Sequence, residues 1–226
     1  MRKVSAYEAT AQASLLSTNK MIRNTYMLLA MTMAFSAVMA VVSMIVNPPM
    51  IVHLATVIGS FIMLFVLNKK QNSAAALPLV FAFTGMLGFG LGPILNMYLG
   101  MSNGGEIVGT ALGMTALTFL GLSAYVLTSR KDFSFMGGFL AAGMIVALIA
   151  MVALFALPFF GVDVGAARIA FSALIVLLMA GFILYDTSNI VNGVYDNYIM
   201  ATVSLYLNIY NLFINLLMLI GVLNED

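Results

Sequence analysis

Long apolar runs alternate with short polar connections along the whole chain. Each run is about 17 to 24 residues long, close to the roughly 20 residues that a helix needs to cross the hydrocarbon core of a bilayer. We predict membrane spans at about 25–46, 51–67, 77–99, 107–128, 135–157, 167–185 and 199–222. The pattern therefore predicts an all-α integral membrane protein, a bundle of about seven transmembrane helices with the lipid bilayer as its surroundings.

Residues 1–24 form the only long polar stretch of the sequence. Its basic residues are Arg2, Lys3, Lys20 and Arg23. The apolar run that follows is long enough to span a membrane, which does not fit the short apolar region of a cleaved signal peptide. We expect residues 1–24 to be a cytoplasmic tail, loose up to about Ser14, and residues 25–226 to be one transmembrane domain without a soluble one.

Positive charge is unevenly distributed between the two sets of connections. Lys and Arg near the ends of spans are retained on the cytoplasmic side. With the N-terminal tail inside, the connections that carry Lys69, Lys70, Arg130 and Lys131 are inside as well, and only Arg168 of the nine basic residues is outside. An odd number of spans then places the C-terminus, residues 224–226, outside the cell.

Composition narrows the range of possible functions. Hydrophobic residues make up 63% and charged residues 8% of the chain, against about 45–50% and about 25% in soluble domains. A net charge of +1 leaves no basic surface for nucleic acid. Cysteine is absent and His53 is the one histidine, which excludes disulfides, haem ligation and histidine-based zinc sites. We expect the 19 methionines to fill gaps between helices rather than to bind copper.

Sequence motifs of catalysis are also missing. There is no Ser/His/Asp set, no HExxH motif and no pair of intramembrane aspartates of the protease type. We therefore predict that the protein is not an enzyme and needs no metal or cofactor. We expect His53 to be a hydrated residue near the outer surface, with a pH-sensing role as the alternative.

Asp186 is the strongest candidate for a functional residue. Ionisable side chains within spans are costly, at about 2.5–3.5 kcal/mol at mid-depth, and mark functional sites by default. Asp186 follows the sixth apolar run, but the apolar pattern resumes at Ile190, which favours a position inside a continuing helix. The alternative is an interfacial aspartate that reaches water or begins a turn.

The seventh span carries a stripe of polar residues. Its members, which follow a 4-3-4 spacing on one helical face, are Ser204, Asn208, Asn211 and Asn215. The stripe indicates either hydrogen bonds between helices or the lining of a hydrated cavity opposite Asp186. Tyr206 and Tyr210 lie on nearby faces, where we expect that they can donate to a carboxylate.

The third span is rich in glycine and contains a proline. The residues of this segment are Gly85, Gly88, Gly90, Gly92, Pro93 and Asn96. Glycine permits close helix approach, and Pro93 cannot donate the backbone hydrogen bond of a helix interior. We expect a kinked packing helix around Gly92, Pro93 and Asn96. The segment lacks the spacing of a nucleotide-binding glycine loop.

Four segments resemble the Bax inhibitor-1 family, and in particular its bacterial YccA-like branch. They comprise Leu15–Thr18 with Arg23–Tyr26, Ala82–Gly85 through Gly92–Asn96, Thr187–Ile190, and Ala201–Tyr206 with Tyr210 and Asn211. The resemblance implies six helices around a more central seventh. It also implies a multi-pass protein of the bacterial inner membrane that binds and modulates the membrane-anchored protease FtsH, with the cytoplasmic tail available to that protease.

The wider family implies an alternative function, a pH-sensitive calcium or cation leak. Members are similar in a proposed gate of two aspartates that share a proton, a reasonable arrangement because neighbouring carboxylates cannot easily both ionise. Asp186 matches the first aspartate, whereas Asn208 stands at the position of the second. The second span also has no arginine to pair with Asp186. Asp186 is therefore the candidate proton-sensing residue, and Asn208 departs from the family pattern.

Overall fold

Seven long helices make up the protein in the computed structural model, which describes residues 2–224 and, from Thr18 onward, their side chains. The helices are α1 (Arg2–Val46), α2 (Ile51–Lys70), α3 (Ala76–Leu99), α4 (Gly104–Ser129), α5 (Gly137–Ala156), α6 (Gly165–Val191) and α7 (Tyr198–Leu223). Short 3-10 helices, Ser134–Met136 and Leu157–Phe160, flank α5. Residues 2–224 contain no strand, and all seven helices are long and apolar enough to span a membrane, which confirms the predicted all-α architecture.

Two helices extend beyond their predicted spans. Helix α6 continues to Val191 rather than ending at 185, so that Asp186 lies inside it. Helix α1 begins at Arg2, well before the predicted start of the first span at residue 25. The backbone expected to be loose up to Ser14 is helical, since no glycine or proline interrupts the first 46 residues. The side chains before Thr18 lie outside the described residues, and the cytoplasmic position of the tail stays a prediction.

The remaining predicted spans differ from the helices by a few residues at each end. Helix α2 runs past residue 67 to Lys70, and α4 starts at Gly104 rather than 107. These extensions carry polar residues into the helices, which hydropathy alone assigns to connections.

Helices α3 and α7 share the centre of the bundle. They are the two most buried of the seven spans. Helix α7 packs against α1, α3, α4 and α6, while α2 lies against α3 and α5 lies against α6. The single central helix implied by the family resemblance is thus accompanied by a second one, because α3 has glycines that let α1 approach its backbone.

Glycines in α3 form the contact with α1. A Cβ atom added at Gly88 would collide with the backbone oxygen of Ser36, and one added at Gly92 would collide with the side chain of Ser43. Small residues at this spacing are typical of tightly packed membrane helices. Helix α2 packs against a different face of α3, where a Cβ atom added at Gly90 would collide with the side chain of Thr56.

Hydrogen bonds join the helix connections at each end of the bundle. At one end, the Asn197 amide donates to the backbone oxygen of Gln71 at 2.8 Å. At the other end, the Asn96 amide donates to Oδ1 of Asn47 at 2.9 Å. Lys69, Lys70, Arg130 and Lys131 lie at or beside the connections of the first end. Which end faces the cytoplasm stays a prediction.

Candidate functional site

Asp186 is the centre of a hydrogen-bonded cluster between α6 and α7. Its side chain is 3% exposed. Oδ2 accepts hydrogen bonds from the Ser204 hydroxyl at 2.6 Å and from the Asn208 amide at 2.7 Å. Oδ1 accepts one from the Tyr195 hydroxyl at 2.9 Å. The structure therefore places Asp186 together with two members of the polar stripe, in a helix and not in a turn.

The helical period explains how α7 supplies two of these donors. Ser204 and Asn208 are four residues apart and lie one above the other on the face that meets α6. Asn208 is 7% exposed, so the contact is closed to solvent. Both side chains reach the same carboxylate oxygen, Oδ2, while α7 stays a regular helix.

The other two members of the stripe do not contact Asp186. The Asn211 amide donates to the backbone oxygen of Leu207, and the Asn215 amide donates to that of Asn211, each at 2.8 Å. These bonds remain within α7. The stripe thus consists of two residues that contact Asp186 and two residues that donate hydrogen bonds to backbone oxygens of α7.

Tyr195 is a partner of Asp186 that the sequence pattern does not indicate. It lies in the connection 192–197, outside any periodic segment, so that neither hydropathy nor spacing marks it. The expectation that Tyr206 and Tyr210 donate to the carboxylate is wrong. Tyr206 donates to the backbone oxygen of Thr84 at 3.1 Å, and Tyr210 donates to that of Leu87 at 3.5 Å, because both face α3.

Polar residues after Asp186 connect α6 to other elements. The Thr187 hydroxyl lies 3.3 Å from the hydroxyls of Tyr26 in α1 and Ser123 in α4. The Ser188 hydroxyl accepts a hydrogen bond from the backbone N–H of Phe133 at 2.9 Å. This end of α6 is accordingly held by partners from three directions, which allows a polar run to remain helical and buried.

The cluster around Asp186 contains neutral donors and no cation. Among the described side chains, Asp186 forms no ion pair, and the groups that contact it are hydroxyls and an amide. A buried carboxylate is tolerated only where such donors replace its hydration. No group of three or more His, Asp or Glu residues within the described part of the chain could hold a metal ion. Among the described side chains, the carboxylate is therefore held by hydrogen bonds from neutral groups.

The nearby α4–α5 connection exposes three charged residues to solvent, Arg130, Lys131 and Asp132. The pKa values of the last two are shifted. The backbone N–H of Ser134 donates to Asp132 and holds the pKa of that carboxyl below its usual value. Interaction with the Tyr125 hydroxyl raises the pKa of Lys131, whose ammonium also lies 5.5 Å from the centre of the Tyr125 ring. Both residues therefore remain charged near neutral pH at this end of the bundle.

The glycine-rich segment of α3 contacts α1 and α2. Helix α3 continues without interruption through Pro93 to Leu99. The Asn96 amide donates to the backbone oxygen of Met44 at 3.1 Å. His53 is half-buried, and its Nδ1 lies 2.9 Å from the backbone oxygen of Gly90, so it is partly shielded instead of fully hydrated. Gly92, Pro93 and Asn96 thus lie in a packing contact apart from Asp186.

A cavity of about 650 Å³ lies between α1 and α4, with α3 and α7 as its floor. Its lining is mostly apolar, and the Ser36 hydroxyl in it is already bonded to the Tyr206 hydroxyl at 2.6 Å. Asp186, Ser204 and Asn208 do not line it. The cavity is therefore a separate feature from the carboxylate cluster.

Comparison with known proteins identifies the family. Residues 18–225 match the family model described as "Inhibitor of apoptosis-promoting Bax1". "Modulator of FtsH protease YccA" from Escherichia coli strain K12 is 46% identical over 215 residues, which cover 95% of each chain. "Inner membrane protein YccA" from Escherichia coli O6:H1 shows the same identity and coverage. An uncharacterised protein from Pseudomonas aeruginosa is 49% identical over 206 residues, 91% of this chain and 90% of its own.

These names describe a modulator and a membrane protein, and none of them describes a catalyst. Together with seven helices that can span a membrane, they place the chain in the bacterial inner membrane as a multi-pass protein. The match extends over almost the whole transmembrane region, including the segments that surround Asp186. The chain therefore belongs to the Bax inhibitor-1 family, in its YccA-like branch.

Proposed function

We propose that this chain is an inner-membrane partner of an FtsH-type protease, which it binds and modulates. The observation that carries the proposal is the 46% identity, over 95% of both chains, to a protein whose name states that it modulates FtsH protease. The similarity extends over nearly the whole length of both chains and is not confined to one segment.

The apolar exterior of the bundle supports an interaction within the membrane. Large side chains such as Phe65, Leu117 and Phe139 are more than 70% exposed on the outer faces of α2, α4 and α5. Such surfaces are covered by lipid or by other membrane helices. Helix α1 is 45 residues long, more than twice the roughly 20 residues that cross a bilayer, and this length supports a segment outside the membrane for the protease to engage.

Deletion of residues 2–14 tests this proposal. We expect the deletion to weaken engagement by the protease, measured as slower turnover of the chain and reduced inhibition of the protease in cells. Deletion of residues 224–226 at the other terminus is the matched control and should change neither quantity. Unchanged turnover together with unchanged inhibition in the 2–14 deletion would contradict the proposal.

A second function, a pH-sensitive calcium or cation leak, is favoured by one specific observation. A carboxylate that is 3% exposed and has only neutral donors is unusual in a structural contact, because an uncompensated buried charge destabilises a fold. Such a group can exchange a proton or bind a passing cation between α6 and α7.

Calcium flux into proteoliposomes tests this second function. Wild-type protein should conduct calcium in a pH-dependent manner, and Asp186→Asn should abolish that dependence. Asp196→Asn is the control, since Asp196 is exposed in the following connection and no hydrogen bond joins its side chain to Asp186. Flux equal to that of empty vesicles would exclude the leak.

A further inference from the structure

The chain reverses direction immediately after α6 through a defined helix-ending turn. Gly193 adopts φ +70°, a left-handed conformation that glycine tolerates best. The Val194 N–H donates to the backbone oxygen of Asn189 at 2.9 Å, and the Gly193 N–H donates to that of Ile190 at 3.4 Å. This pair of bonds is the Schellman motif. It directs the next residue, Tyr195, back along α6 towards Asp186.

Tyr195 lies between the Asp186 carboxylate and the end of the bundle. Its side chain is half-buried, whereas Val194 and Asp196 on either side of it are exposed. Its hydroxyl donates a hydrogen bond to Oδ1 of Asp186, whereas the two α7 donors bind Oδ2. Among the described hydrogen bonds to the carboxylate, this one alone comes from a connection and not from a helix. Its loss would leave both helices intact.

The connection is also anchored at its second end. Asn197 caps α7, because its Oδ1 accepts the Ile199 N–H at 2.8 Å. Its amide donates to the backbone oxygen of Gln71 at 2.8 Å and to Oδ1 of Asn72 at 2.9 Å. Tyr195 is therefore held between two fixed points, one on α6 and one on α7.

The Tyr195 hydroxyl remains a hydrogen-bond donor over the physiological range. Burial is the main cause that raises the pKa of Tyr195, and the negative charge of Asp186 adds to it. The hydroxyl accordingly keeps its proton, and only movement of the side chain removes it from the carboxylate.

We propose that Tyr195 is a lid over Asp186, and that a proton or cation reaches the carboxylate from this end of the bundle when Tyr195 moves away from it. The inference rests on the second proposed function, since it names the route by which that site is reached. Opening requires the loss of the hydrogen bond from Tyr195 to Asp186 and a displacement of Tyr195 between the turn at Gly193 and the cap at Asn197, while the α7 donors Ser204 and Asn208 stay in place.

Access to Asp186 is measured directly by labelling the full-length protein in detergent micelles with a water-soluble carbodiimide. Peptide mass spectrometry separates the product at Asp186 from those at the exposed carboxyls Asp132 and Asp196. We expect slow labelling of Asp186 in the wild type. In Tyr195→Ala it should be faster by roughly tenfold or more, as expected for the loss of a hydrogen bond to a charged group together with the covering ring.

Further variants separate a lid from general loosening of the fold. Tyr195→Phe keeps the ring and loses the hydroxyl, so its labelling rate should fall between those of the wild type and Tyr195→Ala. Tyr198→Phe, at the half-buried start of α7, is the control and should label like the wild type. Gly193→Val disturbs the turn without touching Tyr195 and should also accelerate labelling.

The outcomes distinguish this inference from the function on which it rests. Equal labelling rates at Asp186 in the wild type, Tyr195→Phe and Tyr195→Ala would overturn the lid, whatever the calcium flux. A similar acceleration at Tyr198→Phe would also overturn it. Faster labelling only in the Tyr195 and Gly193 variants supports the lid, even where proteoliposomes show no flux and the cation leak is thereby excluded.

Discussion

Asp186 shows how a carboxylate is kept inside a membrane helix without a cation beside it. Its two oxygens accept three hydrogen bonds at 2.6–2.9 Å from Ser204, Asn208 and Tyr195. Hydrogen bonds to a charged group are each worth about 1.5–3 kcal/mol, enough together to offset much of the cost of burial. The Asn208 amide donates to Oδ2 at a place where a second carboxylate would repel Asp186.

Asn208→Asp introduces a second carboxyl group at this contact. The two groups can share one proton at acidic pH, and loss of that proton as the pH rises leaves like charges within hydrogen-bond distance. We expect the melting temperature in detergent to fall by roughly 5 °C or more between pH 5 and pH 8, on the basis of about 2–4 °C per kcal/mol for a chain of this size.

Asn211→Asp is the control for this substitution. Asn211 lies on the same helix, but its amide is bonded within α7 and does not contact Asp186. Its melting temperature should depend on pH much less steeply. Equal pH dependence in the two aspartate variants would show that the effect does not arise from the pair of carboxyl groups.

The contact of Tyr195 with Asp186 could not be predicted from the sequence, whereas other parts of the site could. Asp186 and the spacing of Ser204 and Asn208 were recognisable, since charge in an apolar segment and a helical stripe are local signals. Tyr195 reaches the carboxylate only because Gly193 reverses the chain. Likewise, Tyr206 and Tyr210 turn towards α3 because of how the helices pack, and spacing within α7 does not contain that information.

The helices follow from hydropathy, but their ends depend on tertiary partners. Each of the seven apolar runs predicted from the sequence falls within a helix that is long and apolar enough to span a membrane. Helix α6 passes its predicted end because Thr187 and Ser188 find partners on α1, α4 and the α4–α5 connection. Sequence alone predicts a connection for such a polar run, because it does not show the residues of other elements that bind it.

The crossing of α1 and α3 requires glycine at position 92. A Cβ atom there would lie 2.8 Å from the backbone carbonyl carbon of Ser43 and closer still to its side chain. Because neither helix can move without disturbing the central packing, we expect Gly92→Ala to destabilise the protein by about 1–3 kcal/mol. A thermal melt in detergent measures the change.

Gly109→Ala is the matched control, since a Cβ at Gly109 meets no atom within 4 Å. Alanine is favoured over glycine in a helix by about 1 kcal/mol, so this variant should be as stable as the wild type or slightly more so. A loss of stability in both variants would show that the effect is not the α1–α3 contact. The opposite signs expected for the change in stability of the two variants distinguish an effect of packing from an effect of helix propensity.

The whole molecule has two chemically different ends, and this difference predicts its orientation. Lys69, Lys70, Arg130 and Lys131 all lie at the end where the connections 71–75, 130–136 and 192–197 meet. Basic residues in short connections are retained in the cytoplasm, and acidic residues have little influence.

We therefore expect reporters fused after Lys70 and after Arg130 to be cytoplasmic. A reporter fused after Met101, between α3 and α4 at the opposite end, should be periplasmic. Cysteine accessibility at the same positions, in a chain that has no cysteine of its own, provides an independent measurement. Periplasmic reporters at Lys70 and Arg130 would show that the bundle has the opposite orientation in the membrane. They would also place Tyr195 on the periplasmic side, and the proposed route to Asp186 would then begin outside the cell.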